Sequence, residues 1–160
     1  EYTVSEGTIF PTKKKDEKNR LHPKTIVYGI ESDGVAKVYP EDYILDQKII
    51  QDTIGNTPIL ITIDQADGVV ALIPRVDGTQ LSLERRDSGL IDKETGTKWT
   101  FQGEGIEGTY VGKQLQCRPD LLRMYYFAFV AFNPHLEVEI YQNIHEKPGW
   151  KERLFRKFKK

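Results

Sequence analysis

What this chain has little of bounds it first. Cys117 is the single cysteine among 160 residues. That excludes an internal disulfide, a CxxC redox pair and a cysteine-rich zinc site. A lone thiol can serve as a nucleophile, but in Leu115-Gln116-Cys117-Arg118-Pro119 it reads as a small hydrophobe at a half-buried strand end. Charge of one sign is lacking too: 23 basic against 24 acidic residues leave a net charge of −1. That balance argues against a nucleic-acid footprint spread over the whole protein. No run approaches the roughly 18 apolar residues that a membrane span requires. Glu1 to Arg20 is polar and shows no signal-peptide pattern, which leaves the compartment open.

Histidine is sparse and scattered. His22, His135 and His145 show no i, i+4 pairing of the kind that holds zinc on a helix, so they read as loop or cap residues. The glycines follow a strand without a phosphate-binding helix, so neither a Walker loop nor a dinucleotide loop is present. Ser88 lacks the flanking glycines of a nucleophile elbow. No metal and no cofactor is expected.

What remains is an ordinary globular composition, 38% hydrophobic and 29% charged. A chain of this length can bury a core as one domain. Residues 1–24 read as a polar arm, 25–145 as a β-rich domain and 146–160 as a basic tail. β-Branched and aromatic residues mark strands at Thr25–Ile30 and Val35–Tyr39, joined by an Asp33-Gly34 hairpin turn. Pro40 fits the first turn of a short helix over Glu41–Asp46. Asp52–Asn56 reads as a turn. Asp67-Gly68 and Asp77-Gly78 then separate Ile59–Ile63, Val69–Ile73 and Thr79–Arg85, which read as a three-stranded meander. Thr97–Gln102 and Leu136–Tyr141 are further strands. Asp120–Phe132 reads as the clearest helix, stopped by Asn133-Pro134, with apolar residues on nearly every side and therefore buried. The expected class is α+β, mainly antiparallel β, as a distorted barrel or sandwich with that buried helix and a short one after Tyr39.

The stretch from Asp92 to Gly108 is the most distinctive. Trp99 opens a strand between Thr97 and Thr100, where it can stack on a ligand that Gln102 orients; the alternative is a large core residue under a loop. Asp92, Glu94, Glu104 and Glu107 are carboxylates beside glycines. Such groups do acid–base work when their environments differ, or gather a hard cation, but most often they form turns. Asp92, Glu94, Thr97, Trp99, Gln102 and Glu104 are thus the candidate ligand-binding residues, and none is assigned a catalytic role. The tail, Trp150 to Lys160, is basic and amphipathic. It is a candidate for peripheral membrane contact, or its apolar residues pack on the domain.

Gly34–Pro40, Gln51–Pro58 and Asp92–Trp99 together resemble the domain-of-unknown-function 3179 family. The resemblance continues through Gly103–Gly108, Gly112–Leu115 and the helix stop at Asn133-Pro134-His135, covering about Thr25 to Glu139. The family has no settled activity. Its members are commonly exported bacterial and archaeal proteins, so the resemblance implies a periplasmic, secreted or membrane-anchored location. Many members carry a cysteine pair after the strand matching Ile59–Ile63, whereas this chain has Asp64-Gln65-Ala66-Asp67 there. Dithiol exchange needs two thiols, so it is not available here. The expectation is a non-catalytic extracytoplasmic domain that binds a small ligand or protein partner and no nucleic acid. The alternatives are a hydrolase-like enzyme using the carboxylates near Trp99, and a protein held at a membrane surface by its tail.

Overall fold

A computed structural model describes residues 21–141. The chain opens with an antiparallel hairpin, β1 (Ile26–Ser32) and β2 (Val35–Pro40). Its two-residue turn places Asp33 at φ 54° and Gly34 at φ 77°, the positive angles that a tight right-twisted hairpin requires. Helix α1 (Glu41–Gln47) follows directly, with Glu41 and Asp42 in its first turn, where the helix dipole favours negative charge. Lys48 ends it in the left-handed region, its N–H donating to the Ile44 carbonyl.

β3 (Ile49–Ile54) then pairs with β4 (Thr57–Ile63). The segment expected to turn at Asp52 is therefore strand as far as Ile54. Only Gly55 and Asn56 turn, with Gly55 at φ 60°. Because only Lys48 lies between α1 and β3, no turn-rich stretch separates the two, and the sequence shows no strand boundary there. The Asp33 carboxylate locks this hairpin to the first one. It accepts from the Asn56 N–H at 3.0 Å and from Thr57 Oγ1 at 2.7 Å.

β5 (Val69–Leu72) completes the sheet β3-β4-β5. The expected third strand of that meander belongs elsewhere. β6 (Arg75–Val76) and β7 (Thr79–Gln80) form their own short hairpin, and β8 (Leu83–Arg86) pairs with β9 (Gly89–Asp92). β10 (Lys98–Trp99) and β11 (Gly105–Glu107) extend the latter into the sheet β11-β10-β9-β8. The Gln51 side chain ties this sheet to β3. Its amide N–H donates to the Leu81 carbonyl at 2.7 Å, and its oxygen accepts from the Leu83 N–H at 3.2 Å, much as a neighbouring strand would.

The expected helix over Asp120–Phe132 is only half helix. Leu122–Tyr125 forms β12 on the open edge of β1, and α2 covers Tyr126–Phe132. Backbone pairing with β1 takes the first half because that edge offers a ladder of partners. The apolar residues expected around one helix are thus divided between two elements. In α2, Tyr126, Phe129 and Val130 form a single buried face, while Phe132 is 75% exposed. The Thr25 and Pro23 carbonyls accept the N–H groups of Tyr126 and Phe127, which satisfies two of the helix's first-turn donors. Finally β13 (Val138–Ile140) joins β2 in parallel, closing the order β12-β1-β2-β13.

The result is an α+β fold with mainly antiparallel sheets, none of which closes into a barrel. One apolar cluster gathers Tyr39, Tyr43, Ile44, Ile50 and Ile54 of β3 and the isoleucines of β4. A second packs α2 on β1, β2 and β13 and takes in Leu21, a residue expected in the polar arm. The third surrounds Trp99 with Leu60, Leu72, Leu83, Leu90, Phe101 and Leu115. Among the described residues, no helix is long and apolar enough to cross a membrane.

Candidate functional site

Asp92 ends β9 and begins the turn into β10. Its N–H donates to the Thr97 carbonyl and its own carbonyl accepts from Gly96, which closes the turn. Gly96, at φ 74°, supplies the left-handed residue this path needs. The Asp92 carboxylate then folds back over the turn. Oδ1 accepts from the Thr95 N–H at 2.6 Å and from Thr95 Oγ1 at 2.8 Å, while Oδ2 accepts from Trp99 Nε1 at 3.0 Å. Thr97 Oγ1 lies 2.6 Å from Thr95 Oγ1 and accepts from the Tyr110 N–H at 3.2 Å. Asp92 is 1% exposed, and Thr97 and Trp99 are 0% exposed.

These three residues therefore meet, but inside the molecule. Trp99 presents no face to solvent; its ring packs in the third core cluster, tilted against Tyr110 at a centroid separation of 6.0 Å. Burial by itself would raise the Asp92 carboxyl. The hydrogen bonds from Trp99, Thr95 and Gly96 outweigh it and hold the group below the ordinary carboxylate range. A carboxylate so placed orders a turn and has no free approach for a substrate.

The remaining candidate residues lie outside this knot. Both Glu94 oxygens accept from the Ser82 N–H, at 2.9 and 3.1 Å, stapling the turn to the strand approach at Leu81–Leu83. Gln102 and Glu104 are exposed. The Gln102 carbonyl accepts from Gln114 Nε2 at 2.9 Å, and the Glu104 N–H donates to Thr100 Oγ1 at 3.0 Å. Glu107 reaches Lys98 at 3.6 Å across β10 and β11. Among the described residues, no group of three or more His, Cys, Asp or Glu is placed to hold a metal ion.

The glycine-rich segment runs over the knot because little else fits there. A Cβ on Gly105 would stand 2.2 Å from the Tyr110 carbonyl oxygen, and one on Gly108, at φ 119°, 2.8 Å from Thr97 Cα. Gly105 donates to the Lys113 carbonyl and accepts from Gly112, so Ile106 and Val111 are the next residues outward on the two arms of this turn. They are 52% and 59% exposed.

Two features escaped the sequence reading. Lys37 and Tyr39 stand two residues apart on β2 and both reach Asp52 of β3. Lys37 Nζ lies 2.8 Å from Asp52 Oδ2, and Tyr39 OH donates to the same oxygen at 2.9 Å. Burial, reinforced by the Asp52 charge, pushes the Tyr39 hydroxyl far above its ordinary value, so it stays a donor. The i, i+2 spacing of Lys37 and Tyr39 was the available signal, since alternate strand residues share a face.

The other is a cleft of about 210 Å³ between Val69–Ala71 of β5 and the segment Cys117–Pro119 with Leu121. Cys117 sits at a strand edge, bridged to Leu72, but is exposed rather than half-buried. Arg118 is already engaged there by Asp120, at 2.9 and 2.8 Å.

His22 Nδ1 accepts from the Lys24 N–H at 3.0 Å, which makes it a loop cap; His135 is exposed beyond α2. Asp64 caps its own loop, its Oδ1 accepting from the N–H groups of Ala66 and Gly68 at 2.9 and 2.8 Å. His145 and the basic tail from Trp150 to Lys160 lie outside the described residues, as does most of the polar arm.

No curated protein and no solved structure matches the chain. A family model does match residues 1–136, beginning earlier than the Thr25 at which the motifs start. By that match, which covers most of its length, the chain belongs to the family described as protein of unknown function (DUF3179).

Proposed function

We propose that this chain is a non-catalytic interaction domain that works outside the cytoplasm and contacts a protein partner through the turn from Gln102 to Val111. The observation that carries this is the exposure of Ile106 and Val111 on a turn whose backbone is pinned from below. An apolar centre with a polar, charged surround is the usual anatomy of a protein contact. Here the surround includes the exposed pairs Lys98–Glu107 and Lys113–Asp77, at 3.6 and 3.3 Å. The buried knot has a supporting part in this reading. Asp92 and Trp99 hold the strand pair that presents the turn, and Thr97 accepts from the Tyr110 N–H within it. The extracytoplasmic placement rests on the family resemblance.

The test is site-specific photo-crosslinking in the native host, using the full-length protein. A photoreactive residue at position 106 or 111 should yield one shared adduct that is absent when the residue stands at Gln47 on α1. Ile106→Asp should remove the adduct formed from position 111. Adducts no different from those at position 47 would overturn the contact. Fractionation that places the full-length protein in the cytoplasm would overturn the location.

A further inference from the structure

We draw no further inference here: the strongest candidate, the cleft of about 210 Å³ between β5 and the Cys117–Leu121 segment, is a groove of mixed polar and apolar lining with a lone thiol on its wall, and nothing in the structure shows what covers it.

Discussion

Two carboxylates in this molecule are withdrawn from solvent and each accepts a hydrogen bond from an aromatic side chain, yet they are built by opposite means. Asp92 is satisfied by neutral donors three to seven residues away in the chain, Thr95 and Trp99. Asp52 is satisfied across strands, by a hydroxyl 13 residues away and by the Lys37 ammonium. The first is a local turn that ends up buried because Trp99 draws it inward. The second is an ion pair that depends on β2 and β3 being brought side by side. Neutral donors stabilise a buried anion without desolvating a second charge, whereas an ion pair must offset the loss of hydration of both partners. The Asp92 knot should therefore be the more costly to disturb, and the Asp52 pair the more sensitive to salt.

Trp99→Ala tests that ranking most severely. It empties the centre of the third core cluster and strands Asp92, so a loss of about 4 kcal/mol is expected from chemical denaturation. Trp99→Phe separates the two contributions, because it keeps most of the bulk and removes only the N–H. A Phe variant as stable as the parent would show that the Asp92 bond contributes little.

Asp92→Asn comes next. The amide offers an N–H where Trp99 also presents one, and about 2 kcal/mol should be lost at neutral pH. The carboxyl is held below its ordinary value in the folded state. Its contribution is therefore complete above the ordinary carboxylate range and is lost as the pH falls through the lowered folded value. The parent and Asp92→Asn should accordingly keep their difference in urea midpoint from about pH 7 down to the ordinary carboxylate value near 4 and converge only as the pH falls below it, through the lowered folded value. An unchanged difference across that span would place the stabilisation outside the charge.

For the cross-strand pair, Lys37→Met should cost about 1–2 kcal/mol, less than for a fully buried pair because both side chains keep some solvent contact. Adding Asp52→Asn should recover part of the loss, since the uncompensated charge goes with it. A double variant that loses the full sum would mean the two residues act independently. Raised salt should weaken the parent's pair and leave the Asp92 knot unaffected, which a double-mutant cycle at two ionic strengths would read.

The smallest effect is expected at the surface. Ile106→Asp should shift stability by less than about 0.5 kcal/mol, as exposed positions usually do. A large loss would mean that Ile106 supports the fold rather than a contact.

The asymmetry between the two carboxylates also explains what could be read in advance. Asp92, Thr97 and Trp99 stood out together because their contacts are local in sequence and carry a turn signature. Whether Trp99 faced a ligand or the core was not legible. A strand residue of that size suits either side of a sheet, and only the packing of Leu60, Leu72 and Leu115 around it settles the matter. Glu94, Gln102 and Glu104 share only proximity in the chain with it: Glu94 accepts from the Ser82 N–H, and Gln102 and Glu104 lie exposed beyond a bulged strand pair. The Lys37–Asp52 pair stayed hidden because its members lie on strands whose pairing partners are set at a distance.

The same division runs through the fold. Asp33-Gly34 and Asp77-Gly78 marked hairpins in advance because positive φ demands particular residues, and α1 was marked by Pro40 with its acidic first turn. Long-range competition decided the remainder. Leu122–Tyr125 has helical neighbours in the sequence but becomes a strand because β1 has an open edge. β8 leaves the expected meander because β9 pairs with it more closely in the chain. Turn chemistry is a property of a few adjacent residues, and the sequence alone determines it. Which strand lies beside which, and whether Trp99 is enclosed, depends on contacts between segments far apart in the chain, and so only the tertiary structure decides them.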